Sequence, residues 1–110
     1  MKEFRPEDYE AYNKRGLDLF FSGNFDESID CYDKAIEIKP DYIDAWNNMG
    51  FALSVSGKHK EAVYAFDKAL LIKADDYRAW IGKWLALKAL KRDTEAEQAL
   101  ARARQFEGDA

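Results

Sequence analysis

The sequence has a single cysteine, Cys31, among its 110 residues. An internal disulfide is therefore excluded, so packing must hold the fold together, and a reducing compartment is compatible with this. Two prolines and six glycines leave little room for a disordered linker. With 47% hydrophobic and 35% charged residues, the composition fits one domain with a modest core, which we expect to cover 1–110.

Long apolar runs are also lacking. No segment approaches the roughly 18 consecutive apolar residues that a membrane-spanning helix needs. The stretch from Met1 to Pro6 has no apolar segment behind its basic residue, as a secretory signal would have. We therefore expect a cytoplasmic protein that does not bind membranes.

The chain has fewer basic than acidic residues. The formal net charge is −4, the opposite of the electrostatic footprint of most nucleic-acid binders, so we expect no nucleic-acid partner. The charge is uneven, with six basic against eleven acidic residues up to Tyr42, and seven against five from Tyr77 onward. Such a gradient is typical of a solvated surface, and it leaves weak head-to-tail association of this chain as an alternative.

The organising feature of the sequence is self-similarity with a period of 34 residues. Shifted by 34 positions, the chain matches itself without insertion, and a repeat of this kind decides the architecture. The aligned sets include Tyr12, Trp46 and Trp80; Leu19, Leu53 and Leu87; Tyr32, Phe66 and Leu100; and Ala35, Ala69 and Ala103. The three units are approximately 9–42, 43–76 and 77–110, with 1–8 as an N-terminal lead-in.

Each unit is predicted to be two helices, because its apolar residues recur at helical spacing. Pro6 suits a first helical turn, and Gly23 followed by Asn24 suits a glycine stop and an Asn cap. Thr94 with Glu97 reads as a capping box that opens the last helix. The predicted helices are 7–22, 25–38, 41–56, 59–72, 75–90 and 94–106.

These features together resemble the tetratricopeptide repeat (TPR). The pattern is Trp46-x2-Met49-Gly50-x2-Leu53, then Ala62-x3-Phe66-x2-Ala69, and the likeness covers about nine-tenths of the chain. The resemblance implies an all-α, right-handed superhelix of three helix-turn-helix repeats. It also implies a scaffold or adaptor for protein–protein interaction. We expect no cofactor and no metal.

Small residues in the pattern predict close helix packing. Gly16 and Gly50 let the two helices of a unit approach. When the three units are aligned, the same position, or column, holds Trp84 in the third unit. The bulk of Trp84 predicts repacking or a splayed last helix pair. His59 is the only histidine and is expected in a surface turn. The aromatic residues expected to be mostly core are Tyr12, Tyr32, Trp46, Phe66 and Trp80.

The resemblance places the binding surface on the concave face, which is lined by the first helix of each unit. Leu17, Phe51 and Leu85 share one column, so three large apolar side chains are expected along the floor of a groove. The alternative is that they pack against each other or against Phe4. The residues expected to line this groove are Asn13, Leu17, Phe20, Asn48, Phe51, Val55, Arg78, Leu85 and Lys88.

The favoured function is the binding of a peptide or helix of a partner protein in this groove. One alternative is self-association, and the chain is expected to be a monomer or a weak homo-oligomer. Another is a co-chaperone that holds a C-terminal carboxylate with a clamp of Lys, Asn and Arg side chains. The clamp columns hold Asn13, Leu17, Asn48, Arg78 and Gly82, so most of the required donors are missing.

An enzyme is not expected, because no nucleophile stands beside a base and no phosphate-binding glycine loop occurs; Cys31 and His59 fall in different units. The third unit is expected to close the array. Glu97 and Arg104 stand where the second unit has Val63 and Leu70, and a polar outer face suits a terminal repeat.

Overall fold

The computed structural model describes residues 8–107, which form six α-helices joined by short turns and contain no strand. The helices are α1 (Asp8–Phe21), α2 (Phe25–Ile38), α3 (Ile43–Val55), α4 (His59–Ile72), α5 (Tyr77–Ala89) and α6 (Asp93–Phe106). Each matches a predicted helix to within two residues. The predicted helix start at residue 7, and the roles suggested for Phe4 and Pro6, lie outside the described residues.

The first helices of the second and third repeats begin two residues later than predicted. Tyr42 and Asp76 directly precede them and have extended backbones. The Asp76 carboxylate accepts a hydrogen bond from the backbone N–H of Ala79 at 3.1 Å. This bond satisfies one of the free donors at the start of α5 and holds the helix entry in place.

The turn inside each repeat is the same glycine-type helix stop. The second residue after the helix has a left-handed backbone, at Gly23 (φ 84°), Gly57 (φ 85°) and Lys91 (φ 60°). The next backbone N–H donates back to the carbonyl five residues earlier, as Asn24 does to Leu19 at 2.8 Å. These bonds satisfy carbonyls that the end of the helix leaves free. Lys91 adopts in the third repeat a conformation that glycine adopts without steric cost.

Two predicted helix caps were wrong. The Asn24 side chain makes no capping hydrogen bond. Thr94 does not open α6, which begins at Asp93, one residue after Arg92. The Arg92 guanidinium instead bonds both carboxylate oxygens of Glu95, at 2.8 and 2.6 Å. The reason is that the chain already reverses at Lys91, which places Thr94 inside the first turn of the helix.

The core contains the aromatic and small residues that the repeat pattern selects. Tyr32, Phe66 and Leu87 are fully buried and form one cluster with residues of all three repeats. The small residues fully buried between helices are Ser28, Ala35, Ala62, Ala69, Ala96 and Ala103. Their small volume lets the helices pack closely, as predicted.

Trp46 and Trp80 differ from the buried aromatics, because they are only partly buried. Their indole N–H groups donate to the carbonyl oxygens of Pro40 and Ala74, each at 2.8 Å. Both carbonyls belong to the link that precedes the repeat. The two tryptophans therefore hydrogen-bond to the segments that connect the repeats, and they also pack against the core.

The ring of Phe66 lies between two glycines of successive repeats. A Cβ atom on Gly50 would lie 2.6 Å from this ring, and one on Gly82 would lie closer still. Gly82 was not predicted for this role, because it stands outside the glycine column. That column holds Trp84 in the third repeat, partly buried against the core, and the facing aromatic column holds the smaller Leu100. The large and small residues have thus changed places in the sequence of the third repeat, and repacking of its helix pair stays a prediction.

Candidate binding groove

A hydrogen-bonded row of side chains crosses the first helices of all three repeats. The Arg78 guanidinium donates to Oδ1 of Asn48 at 3.0 Å, and Nδ2 of Asn48 donates to Oδ1 of Asn13 at 3.0 Å. Nδ2 of Asn13 donates in turn to the Tyr42 hydroxyl at 3.4 Å. Both asparagines are buried, so these bonds compensate for the lost contact of their amides with water. We call Tyr42, Asn13, Asn48 and Arg78 the polar row.

The charges around the polar row are partly neutralised within the chain. Arg78 Nη1 lies 3.8 Å from an Asp44 carboxylate oxygen, and about half of each side chain is exposed. Burial raises the pKa of the Tyr42 hydroxyl, and the neighbouring Asp44 and Glu10 raise it further. Tyr42 therefore stays protonated at neutral pH, and Arg78 is the cation at the open end of the row.

An equivalent polar contact lies one repeat further along the chain. Asn47 is 34 residues after Asn13, and its Nδ2 donates to Asp76 Oδ2 at 2.8 Å, the carboxylate that also caps α5. Asn47 is almost completely buried. It therefore links α3 to the start of α5, and its amide is not available to a ligand.

An apolar cavity of 360 Å³ lies beside the polar row, between the first and second repeats. Its lining residues are Leu17, Phe20, Phe21, Tyr32, Asn48, Phe51, Val55 and Arg78. Phe21 and Val55 are 81% and 55% exposed, whereas Tyr32 is fully buried at the back. This volume, with apolar walls and Asn48 and Arg78 at one side, suits an aliphatic or aromatic side chain of a ligand.

Six of the nine residues predicted to line the groove lie around this cavity. The other three do not: Asn13 is buried within the polar row, and Leu85 is 48% exposed but does not line the cavity. Lys88 lies 3.9 Å from the Asp93 carboxylate. The expected row of three apolar residues is therefore interrupted, since only its members in the first two repeats reach the cavity. Tyr32 and Phe21 complete the wall.

Phe51 is less exposed than a residue on the open floor of a groove would be. Its ring packs edge-on against that of Phe66, with centroids 4.9 Å apart, and it is partly buried. Phe20 packs similarly against Phe21 and Phe25, with centroid distances of 5.2 and 5.4 Å. The aromatic wall of the cavity is thus continuous with the core through Phe51.

The cysteine and the histidine lie apart from this cavity. Cys31 is buried, and burial raises the pKa of its thiol, which keeps it protonated. His59 was predicted in a surface turn, but it is the partly buried first residue of α4. Among residues 8–107, no three His, Cys, Asp or Glu side chains group as metal ligands would.

None of the helices in the described part of the chain has the length and apolar character needed to cross a bilayer.

Comparison with known families agrees with the repeat pattern and the helix pairs. A model described as "TPR repeat" matches residues 16–54, and one described as "Tetratricopeptide repeat" matches residues 43–76. The chain belongs to the tetratricopeptide repeat family. No curated protein matches its sequence.

Solved TPR domains share the fold over almost the whole chain. The first TPR domain of human RPAP3 is 24% identical, covering 96% of this chain and 84% of that one, with a TM-score of 0.92. The first TPR of Spaghetti (RPAP3), bound to the HSP90 peptide SRMEEVD, is 23% identical with the same coverage and a TM-score of 0.91. The TPR2B domain of yeast Sti1, in a complex with pHsp70, is 24% identical over 93% of this chain and 82% of that one, with a TM-score of 0.90. These likenesses establish the all-α superhelical repeat fold.

Proposed function

We propose that this TPR domain is a protein-interaction module that binds a peptide or helix of a partner protein in its concave groove. The observation that carries the proposal is the 360 Å³ apolar cavity with the Arg78 guanidinium at one side. Among domains of the same fold, that of Spaghetti (RPAP3) binds the HSP90 peptide SRMEEVD, and that of yeast Sti1 forms a complex with pHsp70. A scaffold or adaptor role follows from this mode of binding.

The cavity defines the ligand that we expect. One large apolar side chain fills the space between Leu17, Phe21 and Val55. An acidic side chain or a backbone carbonyl next to it pairs with Arg78, whose guanidinium is about half exposed. The ligand is therefore a short segment with an apolar anchor and a neighbouring negative charge.

The carboxylate clamp is the less favoured alternative, because this groove lacks its donors. Two clamp columns hold Leu17 and Gly82, and Gly82 lies against Phe66. Asn48 donates to Asn13, and Arg78 already contacts Asn48 and Asp44. A terminal carboxylate would find one half-exposed cation here, where a clamp offers several charge-assisted bonds.

Selection of peptides from a random displayed library tests the proposal without knowledge of the partner. Recovered peptides should share a large apolar residue close to Asp or Glu, and SRMEEVD should bind at least about tenfold more weakly than the best of them, or about 1.4 kcal/mol. Calorimetric titration of a recovered peptide gives the affinity for each variant. A cytoplasmic location and a state of monomer or weak homo-oligomer stay predictions. Light scattering over a concentration series checks the oligomeric state.

Phe21→Ala and Val55→Ser are the informative variants, because both side chains are largely exposed and line the cavity. Each should weaken binding by about 1–2 kcal/mol with little change in melting temperature. Leu71→Ala is the matched control, since Leu71 is 80% exposed and lies outside the cavity. Phe51→Ala is less suitable, because its contact with Phe66 couples it to stability. Equal affinity for the parent and both groove variants would rule the groove out.

Arg78→Gln separates the charge from the hydrogen bond, since glutamine keeps an amide donor for Asn48. We expect slower association and a weaker dependence on salt, with a smaller change in dissociation. A salt dependence equal to that of the parent would show that Arg78 does not face the ligand.

A further inference from the structure

A second cavity, of 280 Å³, lies between α2, α3 and α4 and shares no residue with the groove. Its lining residues are Ile29, Asp33, Trp46, Met49, Leu53, Glu61, Tyr64 and Ala65. We call it the carboxylate–tryptophan cavity, after Asp33, Glu61 and Trp46. It combines two carboxylates and two aromatic rings over an apolar base.

This combination attracts cations. The faces of Trp and Tyr rings are negative, and a carboxylate beside them adds full charge. The rings of Trp46 and Tyr64 lie edge to face with centroids 6.4 Å apart. Within residues 8–107, neither Asp33 nor Glu61 forms an ion pair. Burial raises the pKa of the Asp33 carboxyl, and the neighbouring charges of the same helix, foremost Asp30, raise it further.

The next repeat contains the same Asp, Trp and Glu with a cation in place, and Gln98 stands at the position equivalent to Tyr64. Thirty-four residues further along, the equivalent residues are Asp67, Trp80 and Glu95. Lys83 Nζ lies 2.7 Å from Asp67 Oδ1 and 5.5 Å from the centroid of the Trp80 ring. The hydrogen bond from Arg92 lowers the pKa of the Glu95 carboxyl, and the charge of Lys83 contributes to the lowering.

The lysine of the third repeat occupies the column that holds Met49 in the second. The chain therefore supplies its own ammonium group to one arrangement of Asp, Trp and Glu, and leaves the other without one. The comparison between the two repeats therefore indicates that the arrangement without a lysine can accept an ammonium group. The methionine is too short and uncharged, and its side chain forms part of the apolar base.

We propose that the carboxylate–tryptophan cavity binds the ammonium group of a lysine side chain from a partner protein. The ammonium lies between Asp33 and Glu61 and over the Trp46 ring, and the lysine methylenes pack against Met49 and Leu53. The site goes beyond the groove, so a partner can contact the domain on two surfaces.

One lysine of the chain itself lies near the edge of the cavity. Lys68 Nζ is 5.3 Å from the centroid of the Tyr64 ring, although Lys68 is not among the lining residues. Its equivalent in the next repeat, Arg102, lies 6.0 Å from the Trp80 ring while Lys83 is also present. The outer cation and the inner lysine therefore coexist in that repeat, so a cation at the position of Lys68 does not by itself exclude one at the proposed position.

The test is an NMR titration of the ¹⁵N-labelled chain with acetyl-Gly-Lys-Gly-amide. The Trp46 indole N–H should shift saturably, and that of Trp80 should not. The same tripeptide with an acetylated lysine amine should give no shift, because its charge is lost. Asp33→Asn and Glu61→Gln should each reduce the affinity by about two- to fivefold, the range of a partly exposed ion pair.

Reciprocal variants test the comparison between repeats. Lys83→Met should open the second site, so that the Trp80 indole also responds to the tripeptide. Met49→Lys should fill the first site and abolish the Trp46 response, whereas Met49→Leu should keep it. Because Met49 is buried, Lys83→Met carries the test if Met49→Lys fails to fold.

Three results would overturn the proposal. The first is no Trp46 response in the folded parent chain, the second is no Trp80 response in Lys83→Met, and the third is a Trp46 response to the tripeptide with the acetylated lysine amine. If the parent gives no response and Lys68→Met does, the chain fills its own site. Phe21→Ala should leave the titration unchanged. A failure of the groove proposal is thus distinguishable from a failure of this one.

Discussion

Gly82→Ala tests the packing between the second and third repeats. In an open helix interior this change would stabilise the protein by about 1 kcal/mol, because alanine is the better helix former. Here the added methyl would lie against the Phe66 ring, closer than any real Cβ contact. Gly50 of the preceding helix also lies against this ring, which leaves the ring little room to shift.

Overpacking of a well-packed core costs about 1–3 kcal/mol. We take the upper part of that range because the ring is fully buried and two neighbouring helices contact it. After the gain in helix propensity is subtracted, Gly82→Ala should destabilise the domain by about 1–2 kcal/mol. For a domain of this size this lowers the melting temperature by roughly 4–12 °C.

Thermal melts followed by circular dichroism at 222 nm measure the effect, with Phe66→Leu as the second arm of a double-mutant cycle. Phe66→Leu alone opens a void, and the alanine methyl of the double mutant partly fills it. The double mutant should therefore be more stable than the sum of the single changes by about 1 kcal/mol or more. A Gly82→Ala protein that melts above the parent, or strict additivity in the cycle, would refute the enclosure of Phe66.

Two further changes concern helix ends. Lys91→Gly should stabilise the domain by about 0.5–1 kcal/mol, because the left-handed backbone of lysine costs more than the extra unfolded-state freedom of glycine. Gly57→Lys should destabilise the domain by a similar amount. A lower melting temperature in Lys91→Gly would contradict the argument. Asp76→Ala should cost about 2–3 kcal/mol in urea denaturation, because it removes the cap on Ala79 and leaves the buried Asn47 amide without its partner. Asp76→Asn should recover part of this loss, and a loss below about 0.5 kcal/mol in Asp76→Ala would show that the contact is dispensable.

The helix pairs and their positions could be predicted from the sequence alone. A helix stop depends on the residue at one backbone position, and Gly23 and Gly57 occupy that position at the repeat spacing. The buried columns could be found for the same reason, since residues such as Ala35 and Ala69 recur at a spacing that follows directly from the period. Helix stops depend on local sequence, and buried positions recur at the repeat period, so both can be predicted without a structure.

The contacts that form the site depended on tertiary structure. The polar row joins Asn13 to Asn48 and Asn48 to Arg78, and these pairs are 35 and 30 residues apart rather than 34. Neighbouring repeats meet with an offset, so side chains that touch across the concave face come from different columns of the repeat. The same offset brings Gly82 against Phe66 and leaves Leu85 away from the cavity. The offset arises from how large and small side chains pack between helices. This packing cannot be read from any single column of the repeat alignment.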